Sequence, residues 1–268
     1  MNLALFKNTL KSNWIIAAIF IVILCLYMSS IVAMFDPVSF KAVEEMLEQL
    51  PTEIVRAVGM DDLASNPTLA GFVASYFYGM LIIMFPLVYI GIIGFRMIAR
   101  HVSNGSMAYM LSTPNNRVKI AITQGIYFIL SLAVIFLSLT VVSIWICEAQ
   151  FPGVLDIPAF IRLNVCSFFM TVAVSAVCYF CSCLFNDAKY AASFGAGLPA
   201  LFFIFKMLGN SKDGLAWMGN LSLYAFYDKS AIVSGEVSSL LVSVIYAVIS
   251  ITLYSGGVIV FKNKDLPL

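Results

Sequence analysis

Three cysteines, Cys178, Cys181 and Cys183, stand in a Cys-x-x-Cys-x-Cys spacing that could hold a metal ion. They fall inside an apolar run with no histidine beside them, a setting that favours small apolar packing residues over ligands. Cys25, Cys147 and Cys166 also lie in or at the edges of apolar runs, which is not the disulfide framework of a small secreted domain. The single histidine, His101, follows Arg100 in a polar loop, and a His-Glu-x-x-His metalloprotease site would need a second. Glu44-Glu45 opens the Glu-Glu-x-x-x-Arg pattern of a membrane protease, but Gln49 stands where the arginine must be. No Gly-x-x-x-x-Gly-Lys-Ser/Thr phosphate loop occurs. The expectation is therefore a protein that is not an enzyme, with no catalytic residue, no metal ligand and no cofactor of its own.

The remaining polar groups inside apolar runs are uncharged: Thr123, Gln124, Ser131, Asn164, Thr171 and Ser175. Most of them read as hydrogen bonds between helices. Gln124, Asn164, Thr171 and Ser175 are also candidates to line a translocation path. No acid sits at the centre of a run, which counts against a proton- or sodium-driven carrier. Arg162 and Lys206 lie near run ends, where long side chains reach the interface.

These groups must be positioned by membrane helices. The chain is 62% hydrophobic and 11% charged, against about 25% charged in soluble domains. Its near-neutral net charge of +1 excludes a nucleic-acid partner that needs a basic patch. Six apolar runs, at about 14–35, 69–95, 120–147, 158–185, 190–208 and 239–261, predict six transmembrane helices in one all-α domain over 1–268. The first run is long for a signal peptide. Ahead of it, Leu3, Leu5, Phe6 and Leu10 mix with Lys7 and Lys11, which reads as a short interfacial helix.

The charges between runs divide by sign. One set of segments carries Lys7, Lys11, Arg96, Arg100, Arg117, Lys119, Lys189, Lys262 and Lys264 against Asp187 and Asp265. The other set holds the remaining twelve acids and six basic residues. Positive segments stay in the cytoplasm, so both termini are expected inside. In the first outer segment, Phe40, Val43, Met46, Leu47 and Leu50 predict an amphipathic helix that Pro51 interrupts. Pro86 predicts a kink in the second span, and a short outer helix is expected near Leu215–Tyr227. Gly195, Gly197 and Pro199 predict either close helix packing or a local break in the fifth span.

The longest inner loop runs from Arg100 to Arg117. Asn104-Gly105 predicts a turn, Ser106–Leu111 a short helix, and Ser112-Thr113-Pro114 its stop. Such a helix is shaped either to dock on a soluble partner or to cover the inner ends of the spans. The stretch Gly105-Ser106-Met107-Ala108-Tyr109-Met110-Leu111-Ser112-Thr113-Pro114, with Arg117, resembles a segment of permease subunits of bacterial ATP-binding-cassette exporters whose ATPase is a separate chain, the ABC-2-type permeases. The tail Phe261-Lys-Asn-Lys-Asp265-Leu266 is similar to that family's ending. The family pattern often has an acid before the glycine and another three residues after it; this chain has Asn104 and Ala108.

The resemblance implies a cell-membrane permease that pairs with a second copy and with a cytoplasmic ATPase, which would bind ATP and Mg. It implies an ATPase-coupling surface formed by Asn104, Gly105, Ser106, Met107, Tyr109, Met110, Leu111, Thr113 and Pro114. The spans, rich in Phe, Met, Ile and Val, suit an amphipathic or hydrophobic cargo surrounded by membrane lipid, with a peptide favoured. The competing readings are an ATP-independent carrier or structural membrane protein and, less favoured, a membrane-embedded enzyme.

Overall fold

The computed structural model describes residues 2–35, 68–112, 116–211 and 213–265. The expected amphipathic helix before Pro51, the acidic stretch Glu44–Asp62, Thr113, Pro114 and Leu266 lie outside the described residues. The described part is helical throughout. Its helices are α1 (Leu3–Ala33), α2 (Leu69–Tyr76), α3 (Ile82–Met97), α4 (Ala99–Ser103), α5 (Ser106–Leu111), α6 (Arg117–Gln150), α7 (Ile157–Leu184), α8 (Ala188–Ser211), α9 (Ala216–Leu221), α10 (Lys229–Ser234) and α11 (Ser239–Asn263). Six helical stretches are long and apolar enough to cross a membrane: α1, Leu69–Met97, α6, α7, α8 and α11.

The expected interfacial helix and the first span form one continuous helix. Asn2 caps it by accepting from the backbone N–H groups of Ala4 and Leu5, and no glycine or proline interrupts the residues that follow. The spans extend past the predicted limits into flanking polar residues, because the backbone ladder outlasts the apolar run. Pro86 lies inside α3, and the departure from α-geometry is the π-helical turn Phe77–Leu81 ahead of it. The outer helix near Leu215–Tyr227 ends at Leu221, where Ser222 leaves helical geometry and donates to the Phe202 carbonyl. Asp228 then caps α10.

α7 is the centre of the bundle, with most of its length buried, whereas α8 and α11 expose most of theirs. In lipid, apolar burial alone does not hold helices together; close packing and interhelical hydrogen bonds do. α7 supplies both. Its buried face is rich in small residues, including Ala159, Ser167, Ala173, Ala176 and Cys178. Several neighbours bond to it. Tyr78 Oη donates to Asn164 Oδ1 (2.7 Å), and Tyr227 Oη pairs with Ser167 Oγ (2.8 Å). Tyr254 Oη meets Ser175 Oγ (2.9 Å) from α11, and Tyr179 Oη donates to the Ala121 carbonyl of α6 (2.8 Å). The Cys178 thiol donates to the Ile90 carbonyl of α3 (3.6 Å).

Cys178 is also where α3 and α8 come closest to α7. A Cβ at Gly94 would collide with its sulfur, and a Cβ at Gly195 would lie 2.9 Å from that sulfur and 3.2 Å from the Cys178 Cα. Of the small residues of the fifth span, Gly195 therefore serves close packing, and α8 runs unbroken through Pro199. A Cβ at Gly197 meets nothing within 4 Å. Gly94→Ala and Gly195→Ala should each destabilise the protein by about 1–3 kcal/mol, while Gly197→Ala should not. Thermal unfolding of the three variants in one detergent checks this ordering.

Candidate coupling site at the basic end of the bundle

The basic segments meet at one end of the bundle. The Asn2 N–H donates to Thr123 Oγ1 (2.9 Å), tying the start of α1 to α6. Arg117 Nη1 donates to the Lys264 carbonyl (2.8 Å), and Lys264 Nζ donates to the Cys183 carbonyl (3.1 Å) near the C-terminus of α7. A cation at that position also complements the negative end of a helix. Burial pushes the Lys264 ammonium down to about 8. Two motifs that the sequence presents separately, the loop ending at Arg117 and the basic tail, are thus one contact.

The loop between α3 and α6 is built from a chain of small constraints. α3 stops at Met97 because Ile98 leaves helical geometry, at φ −127° and ψ −57°. The Ala99 N–H that this break releases donates to Ser182 Oγ of α7 (3.1 Å). After α4, Gly105 takes φ +73°, which glycine adopts without strain. Asn104 Oδ1 accepts from the Ser106 N–H (3.2 Å) and from Ser106 Oγ (2.7 Å), and His101 Nδ1 lies 2.8 Å from the same hydroxyl. With the Ser106 proton given to Asn104, the His101 ring donates through Nδ1.

This knot launches α5 in a fixed direction. Met107 is fully buried in the core and roots the helix. Tyr109 is 81% exposed and is the outermost large side chain of the loop. Met110 and Leu111 are half-buried against the bundle. Asn104, Gly105, Ser106, Met107, Tyr109, Met110 and Leu111 therefore belong to one turn and helix, as expected. Met107 is the exception in role: its side chain anchors the surface and is closed to a partner.

The four path candidates do not share one lining. Gln124 lies at the basic end, buried and within hydrogen-bond reach of Thr9. Asn164, Thr171 and Ser175 are buried along α7 and bonded inside the chain: Asn164 to Tyr78, Thr171 to the Ser167 carbonyl (2.8 Å) and Ser175 to Tyr254. All six cysteines carry free thiols, and among the described residues no cluster of three metal-ligating side chains forms.

The sequence reading missed a polar cavity of about 460 Å³ beside α5. Asn8, Thr9 and Ser12 of α1 and Arg96, Arg100 and His101 line it, together with loop and α5 residues that include Ser106 and Tyr109. Their signal was the helical spacing of the polar residues Asn8, Thr9 and Ser12, which Lys7 and Lys11 adjoin on the same turns of α1.

The architecture defines a multi-pass helical membrane protein with a structured loop helix at its basic end. The chain belongs to the family described as ABC-2 family transporter protein, whose match spans residues 5–266. No curated protein matches the chain. Permeases of this family generally work with a cytoplasmic ATPase subunit, and the chain is a transmembrane transporter subunit by that membership.

Two outcomes follow from the loop geometry. Burial, and then the Arg100 charge, hold the His101 pKa below the usual imidazole range. The neutral ring is therefore the form that the folded loop prefers. Its contribution is complete above about pH 6.5 and is lost as pH falls through the lower folded value. Hydrogen exchange over 101–111 should accelerate between pH 7 and pH 5 relative to the rest of the bundle, after correction for intrinsic rates, and the difference should vanish in His101→Gln. Separately, Arg117→Gln removes the anchor of the tail, so limited trypsin digestion should cleave at Lys262 and Lys264 faster than in the wild type.

Proposed function

We propose that the chain is the membrane subunit of an ATP-driven exporter, with its basic end in the cytoplasm and α5 as the helix that couples it to a separate ATPase. The observation that carries this reading is the build of α5. A short helix is rooted in the core through Met107, is aimed by the Gly105 turn, and presents Tyr109 outward. A push on Tyr109 reaches the spans through a packed side chain rather than through a slack loop. The Ser182 bond to Ala99 adds a second rigid link, from the loop to α7.

The concentration of Lys and Arg at this end supports the cytoplasmic orientation. ATP and Mg belong to the partner ATPase, since the sequence has no phosphate loop; the chain itself hydrolyses nothing. A second copy of the chain completes the permease as a homodimer in the cell membrane. Because Asn164, Thr171 and Ser175 are bonded within one subunit, the path is better sought at the apolar faces that α8 and α11 leave exposed. Such faces suit an amphipathic or hydrophobic cargo, a peptide in the leading form.

The experiment is co-purification from detergent-solubilised native membranes. Wild type should bring down a soluble ATPase, and Tyr109→Asp should lose it while inserting and folding normally, as its exposure allows. Recovery of no ATPase with either protein would move the function to a carrier or structural role. Equal recovery with both would remove α5 from the interface. Proteoliposomes holding both subunits should export an amphipathic peptide; transport of a lipid analogue alone would replace the cargo.

A further inference from the structure

The cavity beside α5 has a chemistry that coupling does not require. Its approximately 460 Å³ lie between the N-terminal third of α1 and the bend that joins α3 to α4. Arg96 and Arg100 flank that bend, one turn apart, and both line the cavity with His101. No carboxylate lines it; Asp187 and Asp265, the acids of the described basic end, stand elsewhere. The Nε of Arg96 is buried and has no hydrogen-bond partner. A buried guanidinium N–H without an acceptor is an uncommon arrangement, and an anion resolves it. Across the cavity, Asn8 and Ser12 expose neutral hydrogen-bonding side chains. Arginine pairs on one wall and hydroxyl or amide groups on the other match a phosphate esterified to a polyol.

The depth of the cavity selects the source of that phosphate. Trp14 is 56% exposed and marks the interfacial level on α1. At the helical rise, Ser12 and Asn8 lie about 3 and 9 Å beyond it along the axis. That is the headgroup layer, not the hydrocarbon and not bulk water.

We propose that this cavity binds the headgroup of an anionic phospholipid from the leaflet at the basic end, with Arg96 and Arg100 holding the phosphate and Asn8 and Ser12 the glycerol side. The site sets the bend at Ile98, and so the loop helix behind it, against the lipid surface. It does not depend on the identity of the cargo, and it adjoins the proposed coupling surface, since Asn104, Ser106, Tyr109 and Met110 also line the cavity.

The test is native mass spectrometry of the purified full chain in neutral detergent, titrated with dioleoylphosphatidylglycerol or dioleoylphosphatidylcholine. Wild type should retain one phosphatidylglycerol in preference to phosphatidylcholine. Arg100→Gln, at an exposed position, should weaken that binding roughly fivefold, and Arg96→Gln/Arg100→Gln by roughly the square of that factor. Asn8→Asp, which adds a negative charge without touching either arginine, should also weaken it. Lys7→Gln/Lys11→Gln, exposed on α1 but not lining the cavity, should weaken it much less than Arg100→Gln; an equal loss there would show diffuse attraction and overturn the site. Equal retention of both lipids would overturn it as well. Competition by inorganic phosphate at the lipid's own concentration would assign the cavity to a soluble anion instead. Intact lipid binding in Arg96→Gln/Arg100→Gln with loss of ATPase co-purification would assign it to an acidic side chain of the partner.

Discussion

In hydrocarbon, a helix gains nothing by hiding leucine from lipid, so this bundle depends on the few places where backbones touch and hydroxyls meet. α7 concentrates those places. Its small residues admit α3 and α8 at Cys178, and hydrogen bonds join it to the Tyr78 turn, α11 and α3. Tyrosine is the recurring partner. Tyr78, Tyr227 and Tyr254 each reach α7 through a ring that packs as an apolar body while its hydroxyl hydrogen-bonds a polar side chain of α7.

That core also sets up the basic end. Ser182 and Cys183, at the last turn of α7, hold the released Ala99 N–H and the Lys264 ammonium. The same helix therefore anchors the loop that carries α5 and the tail that Arg117 clasps. α5 is tied to the bundle by the buried Met107 and, through α4, by the Ala99–Ser182 hydrogen bond; these are the contacts that would carry a displacement in the proposed coupling role.

How much of this was readable in the sequence differs by element. The spans were legible because about 20 apolar residues in succession have one structural solution in a bilayer. The Asn104-Gly105 turn and the short helix after it were legible because glycine permits the left-handed turn and Ser106 follows as a cap partner. The break between an interfacial helix and the first span was not real: Lys7 and Lys11 change the polarity of one face, and polarity alone does not end a helix. The partners of the path candidates were not legible for a related reason. A buried asparagine or serine announces a hydrogen bond, but its partner is chosen by distant helices, and here Tyr78 and Tyr254 are those partners.

The sequence by itself determined that the protein lives in a membrane, where its helices lie and which end gathers the basic charge, since these follow from local composition and the cost of burying charge in lipid. Only the tertiary structure decided that Met107 points inward while Tyr109 points out, that Arg117 meets Lys264, and that Asn8 and Ser12 face Arg96 across a cavity. Those are contacts between residues far apart in the chain. Their geometry is fixed by how closely the small residues of α7 let its neighbours approach, which no single segment encodes.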